Sequence, residues 1–208
     1  MNLINERNKK KVYIIWKTVH EMLEDRGYQS NAKLSYEKFL DKYFDDNVDS
    51  LPNYNKMTFV TSSKKDPLNE IIIYFLEEDT IGIKTTIKIY NDMCKKKIMN
   101  GILIFKNSIT FSAKKYILNQ KDIRIELFLQ DNFIINVTKH VSSPQFQILS
   151  PQEKDKLLKL YHIEDSKLPR ILKTDPVAKY YGLKKGDVLR ILRKSKTSGI
   201  YVTYRILL

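Results

Sequence analysis

Apolar residues in the first two-thirds of the chain switch between helical spacing and continuous runs. Residues 10–27 carry apolar side chains three or four apart, which predicts an amphipathic helix that ends at Gly27. Residues 36–44 predict a second, short helix. Strands are predicted at residues 57–62 and 70–76, and the second is rich in isoleucine, which indicates burial on both faces.

The same alternation continues further along the chain. Residues 84–97 have helical spacing, and residues 101–105, GILIF, predict another buried strand. A polar helix is predicted near residues 112–119, followed by strands at 123–128 and 133–137. Strands that alternate with helices predict helices packed on a sheet.

A polar segment, Ser142-Ser143-Pro144, predicts a domain boundary, and local signals become sharper beyond it. Ser150 and Glu153 form a capping-box pattern that opens a helix ending near Tyr161. Asp175 before Pro176 predicts another helix start, because the carboxylate accepts hydrogen bonds from first-turn amides and proline has no amide proton to leave unpaired.

The last part of the chain predicts a short helix closed by Gly182 and then a hairpin. From residue 187 the pattern alternates, and residues 195–199 supply a polar turn. One face of the second strand would hold Ile200, Val202, Tyr204 and Ile206, and the other Tyr201, Thr203 and Arg205. The tail is therefore predicted to be a compact α+β module.

Charge adds a hint about partners. The 208 residues carry a formal net charge of +13. The 69 residues from His140 onward hold 14 basic and 6 acidic side chains, a net of +8, against 23 and 18, or +5, in the first 139. This distribution indicates a polyanionic neighbour. A second interpretation stays open, because 30 of the 37 basic residues are lysines, as in A/T-biased genomes.

The sequence offers little catalytic chemistry. His20, His140 and His162 are scattered and lack metal-ligand spacing with Cys94, the single cysteine, so neither a metal, a cofactor nor an intramolecular disulfide is expected. No phosphate-binding glycine motif occurs. The apolar runs are too short to span a bilayer and the N-terminus has no apolar signal core, so we expect an intracellular protein that does not enter membranes.

A metal-dependent nuclease is one alternative. Such an enzyme requires acids and a lysine on one face of a strand. Asp66, Glu70 and Lys84 supply the residue types, but the acids at 77–79 are contiguous, which favours a solvated loop.

Four tail motifs together resemble one family. They are LPRI at 168–171, DPVAKYYG at 175–182, GDV at 186–188 and SGIYVTYR at 198–205. In this order they resemble the fifth subunit of eukaryotic nuclear RNA polymerases, which is equivalent to the archaeal H subunit. The resemblance continues with lower density at residues 16–28 and 81–90.

Because the resemblance covers both parts of the chain, it implies the eukaryotic form of the subunit, or a copy carried by a large DNA virus. The implied fold is α+β overall. A three-layer α/β jaw domain, restriction-endonuclease-like but inactive, would occupy residues 1–140, and a small α+β assembly domain residues 141–208. The implied location is the nucleus, or a cytoplasmic viral factory and the virion for a viral copy.

The resemblance also implies two contact surfaces. In the tail, docking on the largest polymerase subunit would involve Leu168, Pro169, Arg170, Asp175, Pro176, Tyr180, Tyr204 and Arg205. Each of these residues has a second interpretation, which is that it holds the small domain together. Arginine suits docking because its guanidinium bonds carboxylates or carbonyls in pairs.

The second implied surface covers residues 107–115, where the family has a threonine-proline-serine-alanine turn facing downstream duplex DNA. Thr110, Ser112, Lys114 and Lys115 would meet backbone phosphates without reading sequence. Phe111 replaces the family's proline, so the turn is expected to differ.

We therefore expect a non-catalytic subunit of a multisubunit DNA-directed RNA polymerase. Its partners would be the largest subunit, other polymerase subunits and downstream DNA, in a hetero-oligomer with no cofactor. The alternative from another class is an independent basic nucleic-acid-binding regulator, which the charge alone supports.

Overall fold

A computed structural model describes residues 2–30, 33–44, 52–120, 122–197 and 199–208. It divides into two compact units, Met1–Ile135 and Asn136–Leu208. The predicted boundary between residues 140 and 141 stays a prediction. Across the described ranges, no helix has the length and apolar character needed to cross a membrane.

The N-terminal unit is a mixed sheet with helices. Its helices are α1 Asn2–Asp25, α2 Tyr36–Tyr43, α3 Tyr54–Met57, α4 Ile83–Lys96 and α5 Phe111–Asn119; its strands are β1 Phe59–Ser62, β2 Glu70–Phe75, β3 Thr80–Ile81, β4 Asn100–Phe105, β5 Ser108–Ile109 and β6 Arg124–Leu129. The main sheet has the order β1-β2-β4-β6, with β2, β4 and β6 parallel and β1 antiparallel to β2. Strands β3 and β5 form a separate parallel pair.

Helices cover both faces of the main sheet. On one face, α4 and α5 pack against Ile72 of β2 and Leu103 of β4. Leu127 of β6 packs against this same cluster, so its neighbour Glu126 points to the opposite face. There Glu126 accepts a hydrogen bond of 2.8 Å from Arg26, which follows α1. The central strands are therefore buried on both sides, as their apolar runs predicted.

Helix α1 buries the stripe that its spacing predicted. Ile15, Val19 and Leu23 lie on its buried side, together with Trp16 and Met22. After the helix, Gly27 adopts a φ of +84°, a left-handed value that glycine reaches without steric cost. The predicted helix and its glycine end are confirmed, but the helix begins at Asn2, ahead of the predicted start at residue 10.

One contact in the sheet is unusually close. The backbone of Gly101 in β4 lies against Met93 of α4, whose side chain is fully buried. A Cβ atom added to Gly101 would lie 2.6 Å from Cε and 2.9 Å from Sδ of Met93. Glycine here allows α4 to approach the sheet.

The predicted strand at residues 133–137 is wrong. Residues Gln130–Phe133 form a 3₁₀ turn, and turns continue through residue 139. Phe133 is buried against Phe128 at a ring-centroid distance of 5.2 Å, whereas Ile135 is largely exposed. The side chain of Asn136 then accepts from the amide of Thr138, which closes a local turn in place of a ladder. The apolar run therefore forms a turn that is anchored in the core by Phe133, and it does not form a strand.

The C-terminal unit is a four-stranded sheet between two helices. Its helices are α6 Pro151–Tyr161 and α7 Pro176–Tyr180; its strands are β7 Gln145–Ile148, β8 Arg170–Ile171, β9 Val188–Ser195 and β10 Gly199–Leu207. The order is β7-β9-β10-β8, antiparallel except for the β10–β8 pair. The predicted hairpin is confirmed, while β7 and β8 were not predicted.

Local capping signals in this unit are confirmed. The Ser150 hydroxyl accepts from the amide of Glu153, whose carboxylate accepts from the amide of Ser150 at 2.8 Å. Asp175 caps α7, and Gly182 beyond it has a φ of +61°. Adjacent residues of β9 belong to two different hydrophobic clusters, one on each face of the sheet. Val188 packs on the α6 side with Leu157, and Leu189 packs on the α7 side. The α+β class predicted for the whole chain is confirmed.

Candidate functional site

Five of the eight predicted docking residues meet where β8 lies beside the end of β10. In the parallel register Arg170 faces Ile206, and the amide of Ile206 donates to the carbonyl of Pro169 at 2.8 Å. The guanidinium of Arg205 donates to the carbonyl of Arg170 at 3.3 Å. The edge therefore joins the segment Leu168–Pro169–Arg170 to the neighbouring residues Tyr204 and Arg205.

These five side chains differ in how far they are exposed to solvent. Leu168 lies in the core on the α6 side, and Tyr204 is half-buried with its ring 6.5 Å from that of Tyr161. Pro169, Arg170 and Arg205 are exposed. The exposed three are accessible to a partner protein, whereas the other two contribute to the hydrophobic core.

The other three predicted residues lie at the start of α7 or within it, and α7 packs on the face of the sheet opposite to α6. The carboxylate of Asp175 accepts from the amide of Val177 at 2.8 Å. Tyr180 is only 5% exposed, and its hydroxyl accepts a hydrogen bond of 3.3 Å from Asn136. Pro176 is exposed at the first helical position. Asp175 and Tyr180 thus have clear structural roles in this unit.

The predicted phosphate-contacting residues lie at the start of α5. The hydroxyl of Thr110 caps the helix by accepting from the amide of Ala113 at 3.3 Å. Ser112, Lys114 and Lys115 are exposed. Phe111, at the position of the family's proline, is 80% exposed.

The small β3–β5 pair sets the surroundings of this helix start. Because the two strands are parallel, Gly82 and Thr110 follow them at the same end of the pair. The amide of Thr110 donates to the carbonyl of Ile81 at 3.0 Å. Helices α4 and α5 therefore begin side by side. Two helix N-termini that point the same way provide a locally positive potential.

The acidic residues weighed as a nuclease site do not converge. Glu78 accepts hydrogen bonds from Thr85, and Asp66 accepts from the amide of Leu68 within its own loop. Over the described ranges, no group of three or more histidine, cysteine, aspartate or glutamate side chains is arranged to hold a metal ion. Cys94 is exposed on α4.

His20 occupies a buried position that its sequence context did not show. Its ring stacks on Phe59 of β1 at 4.5 Å, and Nδ1 lies 2.6 Å from the hydroxyl of Ser30. Burial, helped by the charge of Lys42, lowers the pKa of His20 from 6.5 to about 4. The imidazole is therefore neutral at physiological pH and belongs to the core.

Sequence reasoning missed the sheet edges around the docking site. A signal for β7 was present, because Gln145 and Gln147 alternate with Phe146 and Ile148. Nothing comparable marks β8, since two residues are too few to show a period. Its pairing depends on the end of β10, where the partner residues Ile206 and Leu207 lie 36 residues later in the chain.

Comparison with known proteins covers both units. Residues 6–93 match the model of the RNA polymerase Rpb5 N-terminal domain, and residues 135–207 match that of the RNA polymerase Rpb5 C-terminal domain. Two similar relatives are the proteins named DNA-directed RNA polymerases I, II, and III subunit RPABC1 of Caenorhabditis elegans and Caenorhabditis briggsae. Each is 35% identical over 201 residues, which cover 93% of this chain and 95% of the relative. The chain therefore belongs to the Rpb5 family of RNA polymerase subunits.

Proposed function

We propose that this chain docks on the largest polymerase subunit through its C-terminal unit and presents its N-terminal unit as a jaw beside downstream duplex DNA. Membership of the Rpb5 family makes it a non-catalytic subunit of a multisubunit RNA polymerase, and it removes the alternative of an independent regulator. The observation that carries the proposal is the match of both units to one subunit family. As the matched relatives are eukaryotic polymerase subunits, we propose the nucleus as its location.

The β8–β10 edge supports the docking part of the proposal. Arg170 and Arg205 are exposed there on a rigid pair of strands, and Pro169 lies beside them. Arginine side chains on a rigid edge suit hydrogen bonding to carboxylates or carbonyls of another protein. Arg205 keeps further guanidinium donors beyond the one given to the carbonyl of Arg170.

Affinity purification tests this docking. The tagged chain, expressed in its own host, should recover both large polymerase subunits in stoichiometric amounts. The double substitution Arg170→Ala and Arg205→Ala should lower that recovery by at least about 30-fold, because truncating bonded interface charges typically costs about 2 kcal/mol or more.

A matched control removes the same charge elsewhere. Lys156→Ala with Lys159→Ala changes two exposed residues of α6 and should leave recovery unchanged. Thermal unfolding of the arginine variant shows whether loss of the Arg205 bond has loosened β8. A folded arginine variant that recovers the large subunits like wild type would assign both arginines to the fold alone.

The adjoining starts of α4 and α5 support the DNA part of the proposal. Lys114 and Lys115 are exposed residues of α5, whose start adjoins that of α4, so ammonium groups, amides and the Ser112 hydroxyl all favour phosphate oxygens. Such contacts position a duplex without reading its bases.

The lysine pair should contribute to DNA binding by the assembled enzyme in a salt-dependent way. Lys114→Ala with Lys115→Ala should leave assembly intact and reduce the slope of log K against log salt by up to about 1.8, or 0.9 for each lost phosphate contact. Titration of the complex with downstream duplex at several salt concentrations measures this slope. Lys64→Ala with Lys65→Ala, in the loop between β1 and β2, is the matched control. Superimposable salt profiles for all three complexes would remove the DNA assignment.

A further inference from the structure

Among the described residues of the C-terminal unit, no strand pairs with the outer edge of β10 over most of its length. Strand β8 pairs only with Ile206 and Leu207, so the residues from Gly199 to Arg205 have a ladder on the β9 side alone. The amide of Ile206 points outward to Pro169, and that of Leu207 points inward to Asp187. Because backbone groups alternate along a strand, the N–H and C=O groups of Ile200, Val202 and Tyr204 also point outward.

A proline ends the ladder at this point. In the parallel register the next rung would bring an amide of residue 169 to the carbonyl of Tyr204. Residue 169 is proline and has no N–H to donate. The chain before it turns away, since Lys167 belongs to the 3₁₀ turn Asp165–Lys167. The open edge is thus a direct result of the sequence Lys167-Leu168-Pro169.

This edge is apolar and basic at once. Ile200 is 68% exposed and Tyr201 55% exposed, although both lie in a regular strand. From Val188 to Leu208 the sequence has five basic residues and no acidic one. An exposed strand edge with apolar side chains is a feature that proteins normally cover. Its charge favours an acidic covering segment.

We propose that the largest polymerase subunit adds an extended, acidic segment to the sheet along the open edge of β10, pairing with Ile200, Val202 and Tyr204. This inference rests on the proposed function and specifies how the docking occurs. The added strand would pair with the same edge of β10 as β8, along the residues that β8 does not reach. Backbone pairing supplies the contact, while Arg205 and the basic hairpin select acidic side chains.

Hydrogen exchange provides a pattern that only strand addition would produce. In the free chain, the amides of residues 201, 203 and 205 bond β9 and should be protected, whereas those of 200, 202 and 204 should exchange freely. In the assembled polymerase the second set should slow by about 100-fold. Unchanged exchange of the even-numbered amides in the assembly would overturn the proposal. Protection of these amides in the free chain that rises with concentration would also overturn it, because the occupant would then be a second copy.

A substitution of Val202 tests one of these outward-pointing amides in a second way. Val202→Pro removes one outward donor and leaves the bonds to β9 in place, and proline is tolerated in strands where its nitrogen faces outward. Recovery of the large subunits should fall by at least about tenfold. Val202→Thr, which keeps the amide and the branched shape, should recover them like wild type. Equal recovery by a folded Val202→Pro variant would reject strand addition while docking stands; failure of wild type to recover the large subunits would reject the docking itself.

Discussion

Replacing Gly101 by valine should lower the free energy of unfolding of the N-terminal unit by about 3 kcal/mol. The new Cβ would lie 2.6 Å from the Cε atom of Met93, well inside van der Waals contact. Met93 is fully buried among Ile72, Ile98 and Leu103, so its side chain has little room to move. The methionine side chain is flexible enough to adjust partly to a single added methyl group. We therefore expect a smaller loss for Gly101→Ala than for Gly101→Val.

The single tryptophan makes the measurement selective. Trp16 lies in α1, so its fluorescence during urea unfolding follows the N-terminal unit and not the C-terminal one. Met93→Ala should lessen the effect of Gly101→Val by at least about 1 kcal/mol in a double-mutant cycle. Gly82→Ser is the matched control, because no atom lies within 4 Å of its added Cβ and serine is a good N-cap for α4. A stable Gly101→Val variant, or strict additivity with Met93→Ala, would contradict the proposed steric cause.

Acidification from pH 7 to pH 5 should destabilise the N-terminal unit by about 2 kcal/mol through His20 alone. The folded state lowers the pKa of His20 from 6.5 to about 4, because burial and the nearby Lys42 disfavour the imidazolium. The unfolded state therefore binds a proton first as the pH falls. This contribution to stability is complete above pH 6.5 and is lost progressively toward pH 4.

Comparison with His20→Gln isolates the contribution of this histidine. Both proteins should be unfolded in urea at several pH values between 7 and 5, again with Trp16 fluorescence as the signal. The variant is expected to be less stable at pH 7, since it loses the stacking on Phe59, but it should show a shallower fall with pH. Parallel pH curves for the two proteins would show that His20 titrates alike in the folded and unfolded states.

Much of the fold followed from local signals in the sequence. The helical stripe of α1, the apolar strands β2 and β4, and the Ser150–Glu153 capping box each depend on neighbouring residues, and all are confirmed. The prediction failed at residues 133–137, where apolar composition suggested a strand but only Phe133 is buried. Apolar composition alone does not show whether a partner strand is available.

The family was predictable because its tail motifs are dense, and both domain matches confirm it. The candidate site was predictable only as a set of positions. Sequence could not show that Tyr180 is buried while Arg170 is exposed, because both belong to equally distinctive motifs. Neither could it show the open edge of β10, which depends on a two-residue strand and on the missing amide of Pro169. Whether these residues contact a partner stays a prediction.

The position of β10 between β9 and β8 also has a consequence for biosynthesis. The regular elements of the N-terminal unit are complete once Phe133 has been translated, whereas the second sheet cannot close before Leu207 has been translated. At typical translation rates these two events are separated by roughly 4–15 s. The first unit can therefore begin to fold while the second still lacks an inner strand, so assembly through the second sheet has to wait until β10 has been made.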